Sequence, residues 1–125
     1  MINRLDHFVL TVRNLDATIQ FYTSVLQMTE ETFGAGRKAL RFGNQKINLH
    51  QAGHEFEPKA NNPLPGSADL CFITDMDMEN VISHLHKHNV TIVEGPVTRT
   101  GALGPILSVY VRDPDHNLIE LSQYV

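Results

Sequence analysis

The sequence predicts an α+β fold made of one unit used twice, each copy running strand, helix, three strands. Three observations carry this. Hydrophobic residues are 42% of 125, enough for a globular core. Apolar segments switch between the two-residue period of strands and the 3.6-residue period of helices. The order of elements before residue 52 returns after residue 67, which marks an internal repeat.

The first copy opens with the strand Leu5–Val12, LDHFVLTV, apolar and β-branched on both faces with His7 inside it. Asn14 and Asp16 offer helix N-caps. Leu15, Ile19, Tyr22 and Leu26 then recur at helical spacing in LDATIQFYTSVLQM, predicting a helix with one buried stripe. Thr29–Phe33 and Ala39–Phe42 read as strands around the turn GAGRK, and Gly43-Asn44 turns the chain into a strand over Lys46–His50. Residues 51–67 hold three prolines and no apolar period, and read as a surface linker.

The second copy begins with the strand Asp69–Thr74. Asp75 or Asp77 caps a helix whose Met78, Val81, Ile82 and Leu85 share a face. Thr91–Val93 reads as a short strand, Glu94–Pro105 as a loop, Leu107–Val111 and Leu118–Leu121 as strands, and DPDHN between them as a turn. HFVLTV superposes on DLCFIT, and Ile47-Asn48-Leu49 on Ile119-Glu120-Leu121. The expected organisation is a single domain over 1–125, with module one at about 1–52, a linker at about 53–67 and module two at about 68–125.

Charge narrows the function classes. Ten Lys and Arg against fourteen Asp and Glu give a net charge of −4, with no basic stripe for nucleic acid. No apolar run reaches the ~18–20 residues of a membrane span. Asp6 and His7 interrupt any signal-peptide run, and the single Cys71 suits a reducing compartment. The expected location is cytoplasmic and the expected partner a small molecule, with no nucleic acid and no membrane.

Polar side chains in apolar strands point to chemistry. Strand residues alternate faces, so His7 shares a face with Val9 and Thr11, Asn48 with His50, Asp69 with Cys71, and Glu120 with Leu118 and Ser122. The repeat equates His7 with Asp69 and Asn48 with Glu120. An imidazole or carboxylate in such a strand carries a burial cost unless paired or bound. Imidazole and carboxylate together suit a divalent transition metal. Arg99, in the stretch TRTGALGP, suits a substrate carboxylate or phosphate, and the glycines there suit a lid. His84 and His88 share a helix face opposite the apolar stripe, which suits solvent, and Cys71 reads as a small buried hydrophobe.

The opening HFVLTVRNLDATIQFYTSVLQM and the closing VYVRDPDHNLIELS resemble the two ends of a vicinal-oxygen-chelate protein, the superfamily of glyoxalase I, bleomycin-resistance proteins and extradiol dioxygenases. The likeness spans essentially the whole chain. DPDHNLIEL is its most specific part, with His116 where the family usually has Gly. GPVTRTGALGPILSVYVRDPD is most similar to the glyoxalase-domain-containing protein five subfamily and small bacterial glyoxalase-like proteins. The resemblance implies two tandem βαβββ modules with cupped sheets around a divalent metal ion (Zn, Ni, Mn or Fe). It implies His7 and Glu120 as first- and final-strand ligands, with Glu120 also a proton acceptor. Asp69 stands where the family usually has His. Asn48 or His50 would face the cavity, His50 either as a ligand or against substrate. The metal set is then His7, His50, Asp69 and Glu120, and the substrate contacts Asn48, Arg99 and Tyr110. The resemblance further implies a homodimer and a glyoxalase I-like lyase or isomerase. The alternatives are dioxygenation, thiol transfer or metal-free binding on the same scaffold.

Overall fold

The computed structural model describes residues 1–125, which form two compact units, Met1–Ser67 and Ala68–Val125. In the first unit β1 (His7–Val12), α1 (Leu15–Ser24), β2 (Thr29–Phe33), β3 (Arg37–Phe42) and β4 (Gln45–Gln51) follow in order. The strands make one sheet ordered β1-β4-β3-β2, with β1 and β4 parallel and the other pairs antiparallel. The second unit repeats this with β5 (Asp69–Ile73), α2 (Met78–Lys87), β6 (Glu94–Thr100), β7 (Pro105–Arg112) and β8 (Leu118–Tyr124), in sheet order β5-β8-β7-β6. These are the two βαβββ modules the sequence predicts.

The repeat extends to register. Phe8 pairs with Ile47 and Val9 with Asn48, while Leu70 pairs with Ile119 and Cys71 with Glu120. Paired residues point to the same side of a sheet. One face of the first sheet is therefore apolar, with Leu10, Val12, Leu40, Ile47 and Leu49 buried, and α1 packs beside the sheet strands. The second sheet buries Val109, Val111, Ile119 and Leu121, and its helix α2 buries Met78, Val81 and Leu85. Burying each large apolar side chain is worth roughly 1.5–3 kcal/mol. The other face of each sheet carries the polar residues.

Asn14 caps α1 as its position predicts, its side chain accepting from the Ala17 N–H at 2.9 Å. Asp77 caps α2 without a side-chain hydrogen bond. The helix α1 ends at Ser24, four residues earlier than its apolar pattern suggests, because Gln27 adopts φ 61 and the Met28 N–H turns back to the Tyr22 carbonyl. Its buried stripe is Thr18, Tyr22 and Val25, with Leu15, Ile19 and Leu26 half-buried at its flanks. Thr18 is fully buried, a place in the stripe that a hydrophobicity pattern does not register.

Two expectations for residues 91–105 are overturned. Thr91–Val93 is not a strand, although the Val93 N–H still bonds to Tyr110. The expected loop from Glu94 is strand β6, paired with β7 through a bulge between Glu94 and Val97. Gly95 makes the bulge possible: its φ is 103, and a Cβ there would collide with the Ser108 carbonyl oxygen. Pairing, not local propensity, decides this strand. The lid expected over Thr98–Pro105 shrinks to the hairpin turn at 101–104. Gly101 N–H bonds to Gly104 there, and the Leu103 N–H to the Tyr124 hydroxyl at 3.1 Å.

Candidate functional site

On the polar face of the first sheet the side chains form rows across the strands. Phe33 pairs with Arg37, and His50 with Thr11; Arg37 and His50 meet between these pairs, the guanidinium Nη2 lying 3.3 Å from His50 Nε2. In the next row Glu31 pairs with Ala39, Ala39 with Asn48 and Asn48 with Val9. In the third, Arg41, Lys46 and His7 stand side by side. Phe56, from the segment after β4, folds over this face. Its ring lies 5.5 Å from the His50 ring and 4.4 Å from the Arg37 guanidinium, which also lies over Phe33.

His50 is 3% exposed and Asn48 7%. A guanidinium only donates, so His50 Nε2 accepts and its proton sits on Nδ1. Burial, and then the charge of Arg37, push the His50 pKa below the ordinary imidazole value and keep it neutral. His50 Nδ1, Asn48 Oδ1 and Arg37 Nε are all buried without a hydrogen-bond partner.

His7 is exposed, with Nδ1 2.7 Å from Asp6 Oδ1. This contact holds the Asp6 carboxyl below its usual range and leaves His7 Nε2 free. His7 lies two rows from His50, about 13 Å along the strands at ~3.3 Å per residue. Within this sheet those two imidazoles do not share a cation.

On the polar face of the second sheet, Glu120 stands between Tyr110 and Cys71, with Ser108 and Ser122 in the adjacent row. Ser108 Oγ donates to Glu120 Oε2 at 2.6 Å, and the two serine hydroxyls lie 2.7 Å apart, both fully buried. One carboxylate oxygen is thus anchored. Cys71 is exposed rather than a buried hydrophobe, because β5 is an edge strand and Cys71 lies on its polar face. Desolvation, with the Glu120 and Asp69 carboxylates adding to it, pushes its thiol pKa up. Asp69 is exposed, one row from Glu120. Arg99, on β6 and not in a loop, donates to the Tyr110 hydroxyl at 3.1 Å and pairs with Glu94.

All seven residues singled out from sequence thus lie on the polar faces. His7, Asn48 and His50 are on the first sheet, and Asp69, Arg99, Tyr110 and Glu120 on the second. No three His, Cys, Asp or Glu side chains are gathered as a cation requires. Sequence reading missed Arg37, Phe56, Ser108 and Ser122. The serines were legible as same-face neighbours of Glu120 once register was known; Phe56, in an aperiodic segment, gave no signal.

The model of the Glyoxalase/Bleomycin resistance protein/Dioxygenase superfamily matches residues 4–121. The chain belongs to this superfamily. It is 59% identical over 125 residues to virulence protein STM3117 of Salmonella typhimurium strain LT2, covering 100% of this chain and 87% of that protein. The crystal structure of that protein superposes with a TM-score of 0.98, covering 100% of this chain and 99% of the solved one. The glyoxalase domain-containing protein RDO1 of Mycosarcoma maydis is 60% identical over 123 residues, 98% of this chain and 69% of that protein. A lactoylglutathione lyase from Agrobacterium tumefaciens shares the fold at 22% identity and TM-score 0.73, covering 98% of this chain and 94% of that one.

Superfamily members often hold a divalent metal; here single donors of the types such an ion takes stand on the two polar faces without being gathered into a cluster of three. His7 keeps an imidazole lone pair while a carboxylate orients its other nitrogen, a frequent arrangement behind metal-bound histidines. Glu120 has its Oε2 anchored by Ser108, with the Tyr110 hydroxyl and the Cys71 thiol also beside its carboxylate. Asn48 offers a buried carbonyl oxygen with no partner.

Proposed function

We propose that this chain is a metal-dependent, glyoxalase I-like lyase or isomerase acting on a small molecule that presents two neighbouring oxygens. The observation that carries this reading is the state of Glu120. Its Oε2 is fixed by buried Ser108, and its carboxylate lies in the same row as Tyr110. A carboxylate so oriented can hold a cation or receive a proton without first reorganising.

His7 and Glu120 would hold the metal, with Asn48 and Asp69 completing the donor set. A divalent cation, when bound, supplies Lewis-acid polarisation of the substrate oxygens. Glu120 accepts a proton at its carboxylate. Ser108 and Ser122 fix its direction. Tyr110, tied to Arg99, presents a phenol beside the same carboxylate.

The test is elemental analysis of protein purified without an affinity tag and dialysed against Zn, Ni, Mn or Fe(II), with hemithioacetal turnover measured on each form. Stoichiometric metal and turnover are expected in the unaltered protein, with both lost in His7→Ala and Glu120→Ala. Stoichiometric metal retained in both variants displaces the ligand set. Metal-loaded protein that leaves hemithioacetals unchanged displaces the lyase reading.

A further inference from the structure

The helix α2 carries a histidine group that chemistry at His7 and Glu120 does not use. Residues 84–88 read HLHKH and close the helix. Residues four apart on a helix are neighbours on one face, whereas residues two apart are not. His84 and His88 are such neighbours, and their ring centroids lie 4.4 Å apart at an interplanar angle of 50°. His88 is exposed and His84 half-buried, so the pair flanks the buried stripe of Met78, Val81 and Leu85 rather than opposing it. Water therefore reaches both residues. His86 is also exposed, but it stands on the other side of the helix.

We propose that His84 and His88 form a surface binding site for a divalent transition-metal ion, Cu(II) in preference to Ni(II) or Zn(II). Each ring supplies one neutral nitrogen, the donor such ions take from imidazole. An imidazole has two nitrogens, so a hydrogen bond made by one leaves the other for the ion. With metal–nitrogen bonds of ~2.0–2.1 Å, two nitrogens on one ion stand about 3 Å apart. Rings with centres 4.4 Å apart reach that spacing by turning about χ2, a broad torsion in histidine. No third His, Cys, Asp or Glu joins the pair, so water completes the coordination. Such an open site imposes little geometry, and the intrinsic order that places Cu(II) above Ni(II) and Zn(II) then sets the preference. The position in the helix favours a cation as well. The last carbonyls of a helix carry partial negative charge. His88 is the C-cap of α2, its N–H bonded to the His84 and Leu85 carbonyls. An ion held by residues 84 and 88 therefore spans the turn that ends the helix. Lys87, the like charge adjacent in sequence, is exposed, where water and salt screen it.

The site uses neither His7 nor Glu120, so this reading and the proposed function stand or fall separately. Titration calorimetry with Cu(II), on protein purified without an affinity tag, tests it. The double variant His84→Ala/His88→Ala should bind one Cu(II) fewer than the unaltered protein. Each single variant should bind that ion at least about tenfold more weakly, because the second imidazole no longer acts within the same molecule. His84→Gln and His88→Gln, which keep a polar side chain suited to a helix, should behave like the alanine variants. His86→Ala, matched in chemistry and carried on the same helix, should bind like the unaltered protein. Zn(II) should occupy the same pair more weakly than Cu(II). An unchanged Cu(II) count in the double variant would overturn the proposal. So would a loss confined to one single variant, or an equal weakening in His86→Ala, since uptake by separate imidazoles would then account for the result.

Discussion

At the scale of single residues, the polar faces differ in how their groups are satisfied. Glu120 is an acceptor held by buried hydroxyls, whereas His50 is a neutral donor left without an acceptor. The second state has a consequence for stability. Burial first, and Arg37 second, lower the His50 pKa from 6.5. Below that value the unfolded chain binds more protons than the folded one, so stability falls as pH drops through the window between the unfolded and folded pKa values. Urea midpoints measured from about pH 7 to about pH 5 should fall more steeply for the unaltered protein than for His50→Gln. Parallel curves would mean that His50 is not held neutral. The chemistry of these residues was partly legible beforehand. His7, Asn48, Asp69 and Glu120 stood out because a polar group interrupts an apolar strand. Arg37 did not, because an arginine beside a Gly-rich turn looks like any solvated charge.

At the scale of elements, the two helices make a controlled comparison. Each has an Asn or Asp at its N-cap, but only Asn14 uses its side chain, accepting from Ala17. Replacing Asn14 by Ala should cost about 1 kcal/mol, within the usual 0.5–2 range for a lost cap, while Asp77→Ala should cost only a few tenths. Equal losses by chemical denaturation would show that cap identity, not the hydrogen bond, sets the contribution. The turn between β7 and β8 shows the same logic. Asp113 Oδ1 accepts from the Asp115 and Asn117 N–H groups, and Asn117 reaches the Ala68 N–H at 2.9 Å. His116, where the family usually has Gly, sits at φ 68, a conformation that favours glycine. Helices and inner strands were readable because their periods are strong. β6 was not, since EGPVTRT becomes a strand only by pairing with β7.

At the scale of the whole molecule, the duplication is the organising fact. Both sheets place their first strand parallel to their last, in the same register, and both leave that first strand at an edge. Val9 and Ile73 on these edges are 43% and 53% exposed. Exposed apolar residues on unpaired edges favour association. Light scattering should therefore give a homodimer at twice the 14.1 kDa chain mass. A monomer at micromolar concentration would refute this. Mixing His7→Ala chains with Glu120→Ala chains should restore part of the activity if partner chains share a site. No recovery in a verified heterodimer would assign each site to a single chain.

By itself the sequence determined the repeated βαβββ order, most strand and helix positions, the superfamily, and the polar residues on the first and last strand of each module. These follow from local periodicity and from side chains set against it, which are properties of neighbouring residues along the chain. Only the tertiary structure decided that Arg37 meets His50, that Phe56 covers both, that Ser108 anchors Glu120, and that residues 94–100 form a strand. Those relations depend on register between strands far apart in sequence, where a shift of one residue would turn every side chain to the opposite face.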